Sequence, residues 1–227
     1  MPLSISEKTV EIFTKTNSNN KFPLVILHTF QGEGKEVFEK CVEIGCNDFA
    51  IAAVGGLNWN HDLSPWAAPS IGNNKYGFGG ADGYIKKLTN EILPEIRAKL
   101  GFKPELTAIA GYSLAGLFAL YAAYKTDIFS RVASVSGSLW FPGFTELAQS
   151  HDFMKTPEFV YLSLGDAEAK TRDKNLAPVR KNTEFIADLY RTRGITTVFE
   201  LNPGNHFNDT IGRTAKGIKK MIGKEIE

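Results

Sequence analysis

Cysteine is nearly missing from this chain: of 227 residues, Cys41 and Cys46 are the two that carry a thiol. No His or Cys pair follows them at zinc-site spacing, so neither a disulfide framework nor a structural zinc site is encoded. Two free thiols in a reducing compartment are expected. Net charge is equally scarce. Lys and Arg number 26 against 25 Asp and Glu, a balance of +1 that gives no global field to draw in nucleic acid or an anionic membrane surface. Long apolar runs are absent too: stretches such as residues 23–27 and 49–54 fall far short of the roughly 20 residues that a membrane-spanning helix needs. Residues 1–21 lack the basic, apolar and small-residue sections of a signal peptide. A soluble, cytoplasmic protein is expected, with a small molecule as its partner rather than nucleic acid or membrane. Composition says nothing of oligomeric state.

What is present reads as an ordinary globular chain. Hydrophobic residues make up 43% and charged residues 22%, enough for a packed core, and the length suits one core, so a single domain over residues 1–227 is expected. Short β-rich apolar runs alternate with segments of helical periodicity, the pattern of a mostly parallel sheet with helices on both faces. Strands are expected at residues 9–14, 23–30, 48–54, 106–110, 131–135, 159–164 and 196–201; the interior ones are nearly all apolar, as strands buried on both faces must be. Helices are expected at 33–44, 81–100, 114–124, 182–193 and 209–222. In the second, Ile85, Leu88, Ile92, Ile96 and Leu100 recur at helical spacing, with a bend at Pro94. The third is rich in Ala and Leu and should be buried almost throughout; the last two should lie at the surface. Residues 55–80 form a long stretch without clear periodicity, and such loops are often functional.

The strand at 106–110 runs directly into Gly111-Tyr112-Ser113-Leu114-Ala115-Gly116 and then an apolar helix. This is a nucleophile-elbow arrangement, in which a Ser is held in a strained turn so that its hydroxyl projects above the sheet. Bulky side chains two positions to either side would collide, and Gly111 and Ala115 satisfy that constraint. Ala115 departs from the strict G-x-S-x-G pattern by one methyl. The bland alternative, Ser113 as an ordinary helix cap, does not account for the partners that follow. Ser136-Gly137-Ser138 also trails a strand but lacks the leading Gly, which makes it the weaker nucleophile candidate.

A base paired to such a Ser lies downstream of it in this chain order. His28 and His61 precede Ser113, and His151 sits in a polar segment. His206 fits, in the turn-forming Asn202-Pro203-Gly204-Asn205-His206-Phe207 after the last strand. An acid that fixes the imidazole tautomer belongs on the loop leaving the preceding strand. There Gly165-Asp166-Ala167-Glu168 offers two carboxylates, which residue chemistry alone does not separate. Acyl transfer also needs two backbone N–H groups for the developing oxyanion. Leu114, next after the nucleophile, supplies one; the other belongs to the loop after an early strand, where Phe30 is preferred and Thr29 is the alternative.

Taken in order, these residues resemble the putative esterase family of α/β-hydrolases, which includes esterase D and the siderophore (enterobactin-type) esterases. The likeness runs from about Phe22 to the C-terminus and extends to the Trp59 to Trp66 segment, Gly79-Gly80, Ile92-Leu93-Pro94 and Ser136-Gly137-Ser138-Leu139-Trp140. A chain of this length is expected to have no room for a large lid domain, and the likeness implies an α/β-hydrolase fold. It implies Glu168 as the acid, since the family's acid stands a few residues after a strand-ending Gly. The siderophore esterases imply an ester or lactone substrate with aromatic groups, for which Trp66 and Trp140 are candidate pocket walls. At Thr29-Phe30 the chain departs from the family, where an acid and a Gly are frequent. The expected activity is ester hydrolysis through an acyl-serine intermediate, with no metal or organic cofactor. Acyl transfer or thioester cleavage by the same residues is the alternative within enzymes, and a non-catalytic binding module the alternative outside them.

Overall fold

The computed structural model describes residues 2–16, 21–68 and 79–223. They form an eight-stranded sheet in the order β1-β2-β4-β3-β5-β6-β7-β8. The strands are β1 (Leu3–Ile5), β2 (Lys8–Lys15), β3 (Leu24–His28), β4 (Phe49–Gly55), β5 (Thr107–Tyr112), β6 (Arg131–Val135), β7 (Phe159–Gly165) and β8 (Thr196–Asn202). From β4 through β8 all neighbours are parallel; β2 lies antiparallel to both β1 and β4. Ser6 and Glu7 join β1 to β2, both at positive φ (50° and 65°), as a two-residue turn matched to the twist of the hairpin demands.

The period of two along each strand divides the core. Leu24 and Ile26 face one side with Ile109, Val132, Val160 and Leu162, against the helices α3 (Ala81–Lys87), α4 (Leu93–Leu100), α5 (Leu114–Lys125) and α7 (Val179–Thr192). Val25 and Leu27 face the other with Ile51, Ala133 and Tyr161, against α1 (Gly34–Glu43) and α8 (Thr210–Ile222). The interior strands β3, β4 and β5 are therefore nearly all apolar because both faces are dry, whereas β2 and β8 carry polar and charged residues. Each fully buried Leu or Ile contributes about 1.5–3 kcal/mol over its exposed state. α5 is buried at every position from Leu114 to Tyr124, which explains its lack of a polar face. α7 and α8 each bury one side and expose the other. Cys41 and Cys46 are free and buried, and among the described residues no helix is long and apolar enough to cross a membrane.

The expected helix over 81–100 is three pieces. Between α3 and α4 lies a π turn, Leu88–Ile92, where Leu93 N–H reaches back to Leu88 O. Pro94, within the first two residues of α4, has no N–H to give Asn90 and so breaks the regular ladder. Three short elements had no sequence signal of their own: β1, α2 (Trp59–Asp62) and α6 (Phe144–Ser150). Of the long 55–80 stretch, residues 55–68 and 79–80 are described, Gly55 as the end of β4, and 69–78 lie outside the described residues.

Gly34 shows how tightly α1 is laid on the sheet. A Cβ there would stand 2.3 Å from the Cβ of Ala53 on β4, a contact relieved only by moving the helix off the strand. Gly34→Ala is expected to lower unfolding stability by about 1–3 kcal/mol, the usual cost of overpacking, despite alanine's better helix propensity. Urea denaturation measures it; a stabilised variant would show that α1 floats freely on β4.

Candidate active site

The C-terminal ends of β3, β5, β6, β7 and β8 share one edge of the sheet, where loops from separate parts of the chain converge. Ser113 stands between β5 and α5 at φ 59°, ψ −121°, a backbone conformation that costs a non-glycine residue of order 1–3 kcal/mol. The surroundings hold it there: Ser113 N–H donates to Val135 O at 3.0 Å and its carbonyl accepts from Ser138 N–H at 3.0 Å. Gly111 is needed because a Cβ on it would lie 2.4 Å from the Ala115 carbonyl group. The missing side chain at 111 is what makes room for the extra methyl at Ala115.

The structure brings Ser113, His206 and Glu168 into one hydrogen-bonded line. Ser113 Oγ is 3.0 Å from His206 Nε2, and His206 Nδ1 is 2.8 Å from Glu168 Oε2. An ionised carboxylate only accepts, so the proton belongs on Nδ1 and Nε2 is left to accept from the Ser113 hydroxyl. Glu168 is 4% exposed at its side chain. Its other oxygen accepts from Ser136 Oγ (2.7 Å) and Gly165 N–H (2.6 Å), and the Arg213 guanidinium lies 3.5 Å away. Burial by itself pushes this carboxyl up, but the hydrogen bonds from His206, Gly165 and Ser136 outweigh it and hold the group below the usual carboxylate range. Asp166 has a different post. Its carboxylate accepts from Gly204 N–H at 3.0 Å, bracing the loop that carries His206 without touching the imidazole.

Leu114, the first residue of α5, has an N–H with no acceptor inside the helix by position. Thr29 N–H is spent on Val54 O at 2.9 Å, which removes it as an oxyanion donor. Phe30 N–H donates to Glu33 Oε1 at 2.9 Å, and the adjoining Gln31 N–H to Glu33 Oε2 at 2.7 Å. These paired amides already hold an anion, the chain's own carboxylate.

A cavity of about 710 Å³ opens over Ser113 and His206, lined also by Phe30, Glu33, Trp59 and Phe207, a size typical of small-molecule sites. Trp66 and Trp140, expected as its walls, are corrected: neither is among its described lining residues. Trp66 packs on Tyr121 and Phe141 and donates its indole N–H to Pro142 O, while Trp140 packs on Phe141, both against the main core. The aromatics of the cavity are instead Trp59, edge-on to Phe30 at 5.0 Å, and Phe207, edge-on to His206 at 5.2 Å. Trp59 is fixed because Asp62, in the same short helix, accepts from Asn58 N–H (3.0 Å) and from Lys8 Nζ (2.7 Å) on β2.

Residues the sequence did not single out for these posts also emerge. Ser136, at φ 44° and fully buried, orients Glu168. Ser138 Oγ lies 3.4 Å from Ser113 Oγ. His28 lines the cavity from the end of β3, its Nε2 3.0 Å from Tyr84 OH. Burial lowers its imidazole to about 3, so it is a neutral dipole beneath the 29–31 loop. Ser136 stood in the sequence as a second serine after a strand; nothing there tied it to Glu168.

A family model described as "Putative esterase" matches residues 47–206. The uncharacterized protein YbbA of Bacillus subtilis (strain 168) is 25% identical over 187 residues, covering 77% of this chain and 73% of its own. Among solved structures, the siderophore hydrolase EstB from Aspergillus nidulans superposes with a TM-score of 0.77 at 19% identity, covering 100% of this chain and 96% of its own. An IroE-like serine hydrolase from Shewanella oneidensis gives 0.76 at 18% identity, covering 97% and 78%. The enterobactin esterase FES from Shigella flexneri gives 0.72 at 17% identity, covering 97% and 57%. At such identities these structures show a shared α/β-hydrolase fold.

The depressed Glu168 carboxyl has a thermodynamic signature. Its folded-state value lies below that of the unfolded chain, about 4.3. Its stabilising effect is therefore complete above that pH and is lost as pH falls through the lower folded value. Glu168→Gln is expected to be less stable than wild type at pH 7, with the gap narrowing below about pH 4. Guanidinium unfolding at a series of pH values measures it, and a gap independent of pH would contradict the paired carboxylate.

Proposed function

The chain belongs to the putative esterase family of α/β-hydrolases, and from that premise we propose that it cleaves carboxylic esters with Ser113 as nucleophile, His206 as general base and Glu168 as the acid that orients the imidazole. The observation that carries this reading is the unbroken line from Ser113 Oγ through His206 to Glu168 at 3.0 and 2.8 Å, at the floor of a cavity.

In the proposed reaction Nε2 of His206 takes the hydroxyl proton as Ser113 Oγ attacks the ester carbonyl carbon. The imidazolium that forms is stabilised by Glu168, which is held ionised. Leu114 N–H meets the developing oxyanion. Phe30 N–H serves as the second donor once the substrate oxygen replaces the Glu33 carboxylate on it. Collapse of the tetrahedral species breaks the bond to the alkoxy group, which leaves as the alcohol with the proton from His206. Water, activated by the same base, then attacks the acyl-serine and releases the acid. Acyl transfer to an alcohol, or thioester cleavage, would follow the same steps with a different acceptor or leaving group.

For the substrate class, Phe30, Trp59 and Phe207 around the opening support an ester or lactone with an aromatic or other flat apolar group. EstB, which shares the fold, is named a siderophore hydrolase, and FES an enterobactin esterase, so esters of that type are the first natural compounds to assay.

Two expectations follow. Ser113→Ala should abolish both labelling by a fluorophosphonate and hydrolysis of p-nitrophenyl acetate and butyrate, with kcat down by about 10⁴-fold or more. A folded wild type that neither labels nor turns over would favour a binding module. Glu168→Ala should lower kcat by about 10³- to 10⁴-fold, and Asp166→Ala by far less, because Asp166 braces the loop rather than the imidazole. Steady-state kinetics on both variants decide it; equal losses would overturn the assignment of the acid.

A further inference from the structure

Residues 203–207 have no regular structure, yet His206 must be presented to Ser113 within a few tenths of an ångström. The means is a set of captured carbonyls. Arg213, on the first turn of α8 and 3% exposed, donates from Nη2 to Pro203 O at 2.6 Å and from Nη1 to Asn205 O at 3.0 Å. The same Nη1 lies 3.3 Å from Tyr112 OH, and Tyr112 OH donates to the carbonyl of His206 itself at 2.6 Å. Tyr112 is the residue directly before Ser113. The loop is thus fastened on one side to α8 and on the other to the elbow. Gly165 allows the approach, since a Cβ there would lie 2.3 Å from Gly204 O and 3.1 Å from Arg213 Nη1.

Charge adds a second role. Arg213 Nη1 lies 3.5 Å from Glu168 Oε1, and both side chains are almost fully enclosed, 3% and 4% exposed. A buried cation is strongly disfavoured unless paired, and here it is paired with the carboxylate that orients His206. One guanidinium therefore fixes the loop, balances the acid and, through Tyr112, ties both to the nucleophile's own turn. A planar fork with several donors suits this task; an ammonium, as a point charge, cannot serve two carbonyls and a phenol in the same geometry.

We infer that Arg213, with Tyr112 as its relay, is a positioning residue that sets the place of His206 relative to Ser113 and Glu168. The inference rests on the proposed serine mechanism. Arg213 is not among the described lining residues of the cavity, and Tyr112, which does line it, has its hydroxyl engaged with His206 O and Arg213 Nη1, so the expected signature is a loss of kcat at unchanged KM. A misplacement near 1 Å costs up to about 100-fold in rate; Arg213→Lys should lose about 10- to 100-fold in kcat and in the rate of fluorophosphonate labelling, and Tyr112→Phe less, in the same direction. Because the two act through one loop, the double variant should lose less than the product of the single losses.

The experiment combines these kinetics with thermal unfolding and with proton NMR of the hydrogen-bonded Nδ1–H of His206. In wild type this proton should give a resolved downfield resonance; in Arg213→Lys it should broaden or vanish while the protein remains folded at the assay temperature. A sharp resonance and wild-type labelling in folded Arg213→Lys and Tyr112→Phe would overturn the inference, and so would losses that only track the unfolded fraction. A wild type that fails to label at Ser113 would overturn the serine mechanism instead, and the resonance would still decide whether Arg213 holds the imidazole.

Discussion

The constraint on which the rest of this site depends is the enclosure of one negative charge. Glu168 is almost completely removed from water, and a carboxylate in that position must find donors or give up its ionisation. It finds them on three separate elements: the Ser136 hydroxyl after β6, the Gly165 N–H ending its own strand, and the His206 imidazole after β8. The Arg213 guanidinium of α8 stands behind them. Each group is there for a local reason, yet together they bring the ends of three strands to one point. An apolar side chain at 168 would leave those donors without a common acceptor, and the imidazole would have no reason to prefer the tautomer that leaves Nε2 free for Ser113.

The parallel sheet makes this convergence possible. In-register pairing sets Tyr112 of β5 beside Val135 of β6 and Gly165 of β7 beside Asn202 of β8, so the four strands end nearly level and their loops begin at the same height. Short loops then suffice. The elbow uses the same alignment: Ser113 N–H reaches Val135 O, and the strained φ at Ser113 is supported by the neighbouring strand rather than by the turn alone. The strain is tolerated because a dry, closely packed sheet holds the backbone from both sides.

What could be read from the sequence follows from how strictly physics limits each feature. The sheet and its helices were legible because buried parallel strands must be apolar throughout and amphipathic helices must alternate. The elbow was legible because sterics forbid large side chains at 111 and 115. His206 could be chosen from its order along the chain together with its place in the turn-forming loop after the last strand, which His151 lacks. The acid was not separable on residue chemistry, since Asp166 and Glu168 leave the same strand two residues apart; the family resemblance pointed to Glu168, whose carboxylate lies 2.8 Å from His206 Nδ1. The aromatics went the other way. Trp66 and Trp140 are larger than Phe30 or Phe207, but which ring lines a cavity depends on how loops fold across the sheet edge, and hydrophobicity is equally satisfied by core packing. Ser136 and Arg213 were invisible for a related reason, because their importance lies in partners 32 and 45 residues away from them.

The site is also unequal in its two halves. On the side of β5 to β8, Phe207 is 84% exposed, but the Ser113 backbone, the Glu168 carboxylate and the carbonyls of the His206 loop are each held by several hydrogen bonds. The geometry of nucleophile, base and acid is therefore preorganised in the sense that favours stabilisation of a transition state. On the side of β3, Phe30 is 63% exposed, and its N–H and that of Gln31 rest on the Glu33 carboxylate. An internal anion on these amides keeps them directed and solvated by charge while no substrate is bound, at the expense of having to leave when one arrives. The entering ester oxygen replaces Glu33 on the Phe30 N–H and carries full negative charge only in the tetrahedral species, so this hydrogen bond strengthens as the reaction proceeds, while the Gln31 N–H loses its Glu33 partner if the whole side chain leaves. The proposed mechanism thus divides its labour. The rigid half generates the nucleophile and receives its proton, and the exposed half adapts to the acyl group that enters.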